Sequence, residues 1–572
     1  MICNPTTAIA FGAALVLCTV SSVVADDAPN AGDAALKAQA DFVALRDAYL
    51  TRYKPLFLTS SNAWWNASIS GKDEDFAKKK DADTAVLELH SDHEFFNKLD
   101  ALRKAGEVRD PKLARQLDVM YFQFLPAQAN QELQKKILDI ENKVEQVFNT
   151  HRSEVNGKKI TENDVRKILK DSTDSEEAKQ AWMGYTSVGR KIAPDLKAAV
   201  GYRNTIAKEL GFDNYYDMKL TIQEIDKDAF VELFDELDAL TREPFAEIKA
   251  QIDERMAKKF GITKDQLRPW HFGDLFFQEA PGMESVNLDD LFADIDMIEL
   301  TKKYYASLGM PCEDIFERSD MYEREGKSPH AFCTHIDREG DVRVLCNLKP
   351  NMYWADTLMH EMGHGVYDKY IDRELPWLLR EPSHSITTEG AAMMFGALVK
   401  NEDWLINVRG LSADEAKKAV EAAQDSLRIE KLIFSRWTQV MVRFEMAMYA
   451  NPDQDLSKLW WDLKKKYQLM NPPDDLTLPG YAAKIHVLSV PVYYHSYMMG
   501  DLFAAQVHAY AAQKVLGIKH PDKTCFYNQP KAGEYFRNRV FGPGNLMSWN
   551  ELTKFATGEY LSAKYFAKRF VK

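Results

Sequence analysis

The sequence predicts a mainly α protein with one small β-sheet near its functional site. Leu133, Ile137, Ile140, Val144 and Val147 recur at steps of four and three, which places them on one face of a helix. Ser412 stands three residues before Glu415, a capping box. The apolar-periodic run behind it continues to about Ala450, where Asn451-Pro452 stops it. Alternating patterns are scarce, and the best is the short segment from Asp341 to Leu348. No internal repeat or low-complexity linker divides the chain. The acidic, Lys-rich stretch from Gly71 to Asp83 reads as a solvated loop or helix surface.

Length and charge narrow the function. A chain of 572 residues with 45% hydrophobic and 28% charged residues is an ordinary globular composition. Large helical enzymes of this size often form one body with two lobes, so residues 26–572 read as a single catalytic domain. The formal net charge of −13 argues against nucleic acid as a main partner, because no basic excess exists to neutralise phosphates. Residues 1–25 read as a signal peptide: Thr7 to Ala25 is apolar or small, and Val23 and Ala25 sit at −3 and −1 of a cleavage site. The segment lacks a Lys or Arg at its start, so an N-terminal anchor is the alternative. Leu15 to Cys18 faintly matches a bacterial lipoprotein box, with Leu17 too bulky for that signal. The expected location is secreted or periplasmic, with membrane contact only through this segment. Cleavage leaves Cys312, Cys333, Cys346 and Cys525. Export permits disulfides among them, with three possible pairings. No CxxC spacing occurs, which argues against a thiolate zinc site. No exposed association helix is evident, so a monomer is expected.

His360-Glu361-Met362-Gly363-His364 is an HExxH motif. Residues i and i+4 share one helix face, so both imidazoles reach one ion. Glu361 projects beside them, placed to take a proton from water. The bland reading is a helix with two surface histidines. Trp354 to Met359 is apolar and helix-compatible, which puts the motif on a buried helix instead. A catalytic site needs a third protein ligand and an open position. Glu389 is the candidate, because it begins another helical run about 25 residues after His364, as an adjacent antiparallel helix would. Glu374 and Glu381 are the alternatives; Glu374 falls in the connecting turn and Glu381 precedes a proline. Two neutral imidazoles, one carboxylate and an open site select Zn2+.

Further motifs give the sequence a family likeness. Ala63-Trp64-Trp65-Asn66-Ala67-Ser68-Ile69, Gly273-Asp274-Leu275-Phe276-Phe277-Gln278, His330-Ala331, Leu379-Arg380-Glu381, Lys484-Ile485-His486, Tyr494 and Tyr497 together resemble the angiotensin-converting-enzyme family of peptidyl-dipeptidases. Thimet-type oligopeptidases are similar at a greater distance. The resemblance implies a two-lobed zincin-like ellipsoid with a deep cleft, a lid of N-terminal helices up to about Phe148, and short peptides as substrates. It implies that Tyr497 and His486 donate to the tetrahedral intermediate. It further implies that His330 and the Ala331 backbone hold substrate in an extended mode, and that Gln278, Lys484 and Tyr494 grip a C-terminal carboxylate. Taken singly, His330 and His486 read as structural histidines, Lys484 as a surface charge, and the tyrosines as core aromatics.

Three departures from the family pattern stand out. The interval from His486 to Tyr497 is one residue longer, nearer the oligopeptidase pattern, so either Ser489 to Val492 bulges or the alignment shifts. Met393 stands where the family has a carboxylate orienting a ligand imidazole, so another acceptor must take that task. Ser496 stands where the family has the arginine of a chloride site, so chloride activation there should be weak or absent. Release of C-terminal dipeptides is the expected activity. Endo-acting cleavage and a catalytically silent peptide-binding protein are the alternatives.

Overall fold

The computed structural model describes residues 31–281 and 288–571. The expected signal peptide and the lipoprotein-box alternative lie outside the described residues. The described residues are mainly α, with two two-stranded antiparallel sheets among them. No helix among the described residues is long and apolar enough to cross a membrane.

Local chemistry sets the element boundaries. The Ser412 hydroxyl accepts from the Glu415 N–H, the Glu415 carboxylate accepts from the Ser412 N–H, and the helix Ala413–Ala450 follows. The predicted face at Leu133 to Val147 lies on the helix Gln131–Thr150, capped by Asn130. Val144 is buried there, with Ile140 and Val147 packed against the main core. The Asp- and Lys-rich stretch opens the surface helix Asp73–His90. One hairpin escaped the sequence reading. Ser153–Val155 pairs with Lys158–Ile160 through Asn156 at φ 51° and Gly157 at φ 71°, the pair of left-handed residues that an Asn-Gly turn supplies.

Two cores position the site. The larger runs from Val119 to Phe570 and encloses the helix that carries HExxH. A smaller one is built by four N-terminal helices, Ala31–Ser70, Asp73–His90, His93–Ala105 and Pro111–Phe124, through Phe42, Tyr49, Leu89, Leu99, Leu117, Met120 and Phe124. Trp377 and Leu378, from the segment between the second histidine and Glu389, close that core. Trp377 meets Phe57 edge-on at 5.4 Å, and the Arg338 guanidinium lies 4.5 Å from its ring. The separate N-terminal core thus ends at Phe124, and the helix Gln131–Thr150 joins the larger one.

The four cysteines correct an expectation. Cys312, Cys333, Cys346 and Cys525 are all free. Cys333 pairs with Val344 across its hairpin, so Cys346 sits on the diagonal. Diagonal neighbours are about 7–8 Å apart, beyond the ordinary reach of a disulfide. Cys312, Cys346 and Cys525 are buried, and burial pushes the Cys312 thiol up to about 12.

Candidate functional site

Three helices and one hairpin assemble the site. The motif helix, Met352–Lys369, starts at Asn351, whose side chain accepts from the Trp354 N–H. The glutamate helix, Ser385–Gly396, packs against it, and the tyrosine helix, His495–Tyr510, packs against the glutamate helix. Two glycines make these approaches close. A Cβ at Gly363 would stand 2.8 Å from the Ala392 Cα, and one at Gly390 would stand 2.9 Å from the Gly500 carbonyl oxygen. A side chain at either position would push the helices apart and spread the ligands they carry. The hairpin Phe332–His335 with Val342–Leu345 packs on the motif helix; its second strand falls within Asp341 to Leu348, the segment that the sequence marks as strand-like, and its first strand was not read from the sequence.

The structure brings His360, His364 and Glu389 together. Glu389 Oε2 lies 3.6 Å from His360 Nε2 and 3.8 Å from His364 Nε2. One ligand atom from each residue lies within 4.8 Å of the others. A tetrahedral ion with bonds of about 2.0–2.1 Å separates its ligand atoms by roughly 3.3–3.4 Å. The donor set and its spacing therefore fit one zinc-sized ion. Burial holds both imidazoles below their usual range, and His364, also facing His360, falls to about 3. Both are neutral in ordinary buffers, the state in which imidazole ligates a metal. Glu374 is exposed, and Glu381 is engaged with Arg338 at 2.5 Å, so neither competes with Glu389.

The acceptor that Met393 cannot supply is Thr388. Its hydroxyl lies 2.6 Å from His364 Nδ1 and turns Nε2 towards Glu389. Sequence reasoning missed this residue, although it directly precedes Glu389 in Thr387-Thr388-Glu389. Glu361 is buried, and burial with the neighbouring Glu389 charge pushes its carboxyl up to about 8.

The remaining candidates fall into three groups. Lys484 Nζ donates to Gln278 Oε1 at 2.9 Å, and the Tyr494 hydroxyl donates to the same oxygen at 3.4 Å. Lys484 is buried against Phe276, Trp437 and Tyr494, and burial holds its ammonium down to about 8. Tyr494 joins this group to the next: its ring lies 5.4 Å from His486 and 5.3 Å from Tyr497. Burial and Lys484 lower His486 to about 4, so its ring is neutral and carries one N–H. His330 is exposed and Ala331 half-buried, directly before the strand Phe332–His335. The N-terminal segment reaches this point, with Trp64 stacked on Phe332 at 4.3 Å and the Ser328 N–H donating to the Ser68 carbonyl. Within Ser489 to Val492, the segment of the extra residue, Val492 adopts φ 56°. The Ser496 hydroxyl is buried without a partner.

A helix bearing HExxH, a carboxylate from a packed second helix and a hairpin on the motif helix define a mainly α metallopeptidase of the zincin class. The comparisons narrow the class. The sequence profile described as angiotensin-converting enzyme matches residues 37–570. Carboxypeptidase 1 of Bacillus subtilis is 23% identical over 348 residues, covering 51% of this chain and 66% of that protein. The angiotensin-converting enzyme of Theromyzon tessulatum is 23% identical over 439 residues, covering 70% of this chain and 69% of its own length. An inactive angiotensin-converting-enzyme-related protein of Caenorhabditis elegans is 21% identical over 375 residues, covering 56% of this chain and 40% of its own length. The chain thus spans less than two thirds of the length of the Bacillus and Caenorhabditis relatives. It belongs to the angiotensin-converting-enzyme family.

Proposed function

We propose that this protein is a zinc peptidase that releases dipeptides from the free C-termini of short peptides. The observation that carries the reading is the joint placement of two groups. The Tyr494 ring of the Gln278–Lys484–Tyr494 cluster lies 5.3 Å from Tyr497, and Tyr497 is near enough to the His360–His364–Glu389 centre for burial and the Glu389 charge to raise its hydroxyl above the usual range. An ammonium flanked by neutral donors suits a carboxylate. If that grip lies two residues beyond the scissile bond, the product is a dipeptide.

His360, His364 and Glu389 would hold the ion. Zinc, when bound, supplies Lewis acidity to the scissile carbonyl and to water. Glu361 takes the proton of the attacking water and returns it to the leaving amine nitrogen. Tyr497 and His486 donate to the oxyanion that develops on the carbonyl. The strand Phe332–His335 pairs with Val342–Leu345 on one edge only among the described residues. That supports strand-like binding of substrate backbone beside His330 and Ala331. We further propose a single catalytic domain over residues 26–572, export directed by residues 1–25, and a monomeric enzyme.

Endo-acting cleavage is the second reading, favoured by the longer interval between His486 and Tyr497. A mass-spectrometric time course separates the two. An N-blocked hexapeptide is digested by zinc-loaded protein beside its C-terminally amidated twin. Stepwise loss of C-terminal dipeptides, abolished by amidation, supports dipeptide release. Internal cuts indifferent to amidation support the second reading. No cleavage with zinc bound moves the protein to peptide binding without turnover.

A further inference from the structure

The segment that carries the tyrosines is fastened from outside at three backbone points. Arg203, itself buried, donates to the Leu488 carbonyl at 2.6 Å. Gln223 donates to the Val492 carbonyl at 3.1 Å, and its Oε1 lies 3.2 Å from His495 Nε2. Glu445 accepts from the Val492 N–H at 3.0 Å. Glu445 lies on the helix Ala413–Ala450 and is 2% exposed. A glutamate buried this deeply is rare unless it is paired, and the partner that the structure gives it is the Val492 N–H.

Val492 explains what the fastening holds. Its φ of 56° is one that a β-branched residue rarely adopts. It stands two residues before Tyr494 and five before Tyr497, at the one-residue excess of the interval. Left alone, Val492 would relax towards extended backbone and carry both tyrosines with it. Such strain persists only where the surroundings over-determine it.

We propose that Glu445 is a positioning residue for the reaction. Its carboxyl oxygen on the Val492 N–H, with Gln223 on the Val492 carbonyl, locks the left-handed turn that aims Tyr494 and Tyr497. The inference rests on the peptidase reading above and adds a residue with no place in it. Glu445 touches no reacting atom and acts through one peptide group.

The test compares zinc-loaded wild type, Glu445→Gln, Glu445→Leu and the double variant Glu445→Leu/Val492→Gly. Amide hydrogen exchange is followed on the proteolytic fragment spanning 489–498. kcat and KM are measured on the free-acid hexapeptide, with zinc content and melting temperature as controls. Loss of one buried acceptor should accelerate exchange in Glu445→Leu on the order of tenfold and lower kcat by a similar factor. Gln keeps an acceptor oxygen and should rescue both readouts. Gly at 492 adopts the turn unaided and should restore most of kcat in the double variant. Wild-type exchange and kcat in Glu445→Leu would overturn the proposal. So would a Gln variant as impaired as Leu, or no recovery from Gly. If Glu445→Leu alone fails to fold, the double variant decides by the same criteria. A wild type that binds zinc but cuts no peptide refutes the peptidase reading, and the exchange comparison still decides the clamp.

Discussion

Removing the Thr388 hydroxyl should weaken metal binding without touching a ligand. The side chain lies 2.6 Å from His364 Nδ1, and the His364 side chain is 15% exposed. In Thr388→Val a methyl group replaces the oxygen at nearly constant volume. The imidazole then keeps Nε2 for the ion while Nδ1 loses its partner in a largely dry setting. An unmet buried donor costs about 1–3 kcal/mol, and lost second-sphere contacts lower affinity about 10–100-fold, which is roughly 1.4–2.7 kcal/mol. The two estimates agree, so the expected loss in zinc affinity is about 10–100-fold. Competition against a fluorescent chelator measures it directly, without reference to turnover. Thr388→Ser should bind as wild type does. A Val variant within twofold of wild type would refute the reasoning and leave Glu389 alone to orient His364.

Four further outcomes follow from the same geometry. Glu361→Gln should retain zinc, measured by elemental analysis, and lose turnover; retained activity would remove Glu361 as the base. Tyr497→Phe should lower kcat about 10²–10³-fold with KM little changed in steady-state kinetics, as for loss of one oxyanion donor. Lys484 is cationic below its pKa of about 8 and neutral above it. KM for free-acid peptides should therefore climb as pH rises through 8, about tenfold per unit, while KM for amidated peptides stays flat. Lys484→Met should show the high KM at every pH. Chloride titration should leave kcat/KM unchanged, because Ser496 offers no cation at that position; strong activation would mean another residue holds the anion.

Motifs whose spacing alone dictates geometry were readable in the sequence. HExxH fixes two imidazoles on one helix face, and a carboxylate on the next packed helix meets them, although that helix starts at Ser385, four residues before Glu389 where the sequence reading began it. The Ser412–Glu415 box names a helix start because both of its hydrogen bonds are local. What stayed hidden depends on long-range placement. Thr388 is one of two adjacent threonines, and only the rotation of its helix decides which one faces His364. The extra residue before Tyr494 was visible as a count. Its form was not, because Val492 has no local reason to enter the left-handed region and is held there by Glu445, 47 positions earlier. The free cysteines show the converse limit: of the pairings the sequence allowed, Cys333 with Cys346 is kept apart by hairpin register.

The N-terminal core also sets an order of events at the ribosome. Its helices are complete once Phe124 has emerged, yet the two residues that close it, Trp377 and Leu378, come about 250 positions later. At synthesis rates of about 5–20 residues per second, the nascent chain carries that open apolar face for roughly 13–50 s. The segment that ends the wait is the same one that leads into Glu389, so these N-terminal helices complete their core only as the residues of the His360–His364–Glu389 cluster arrive.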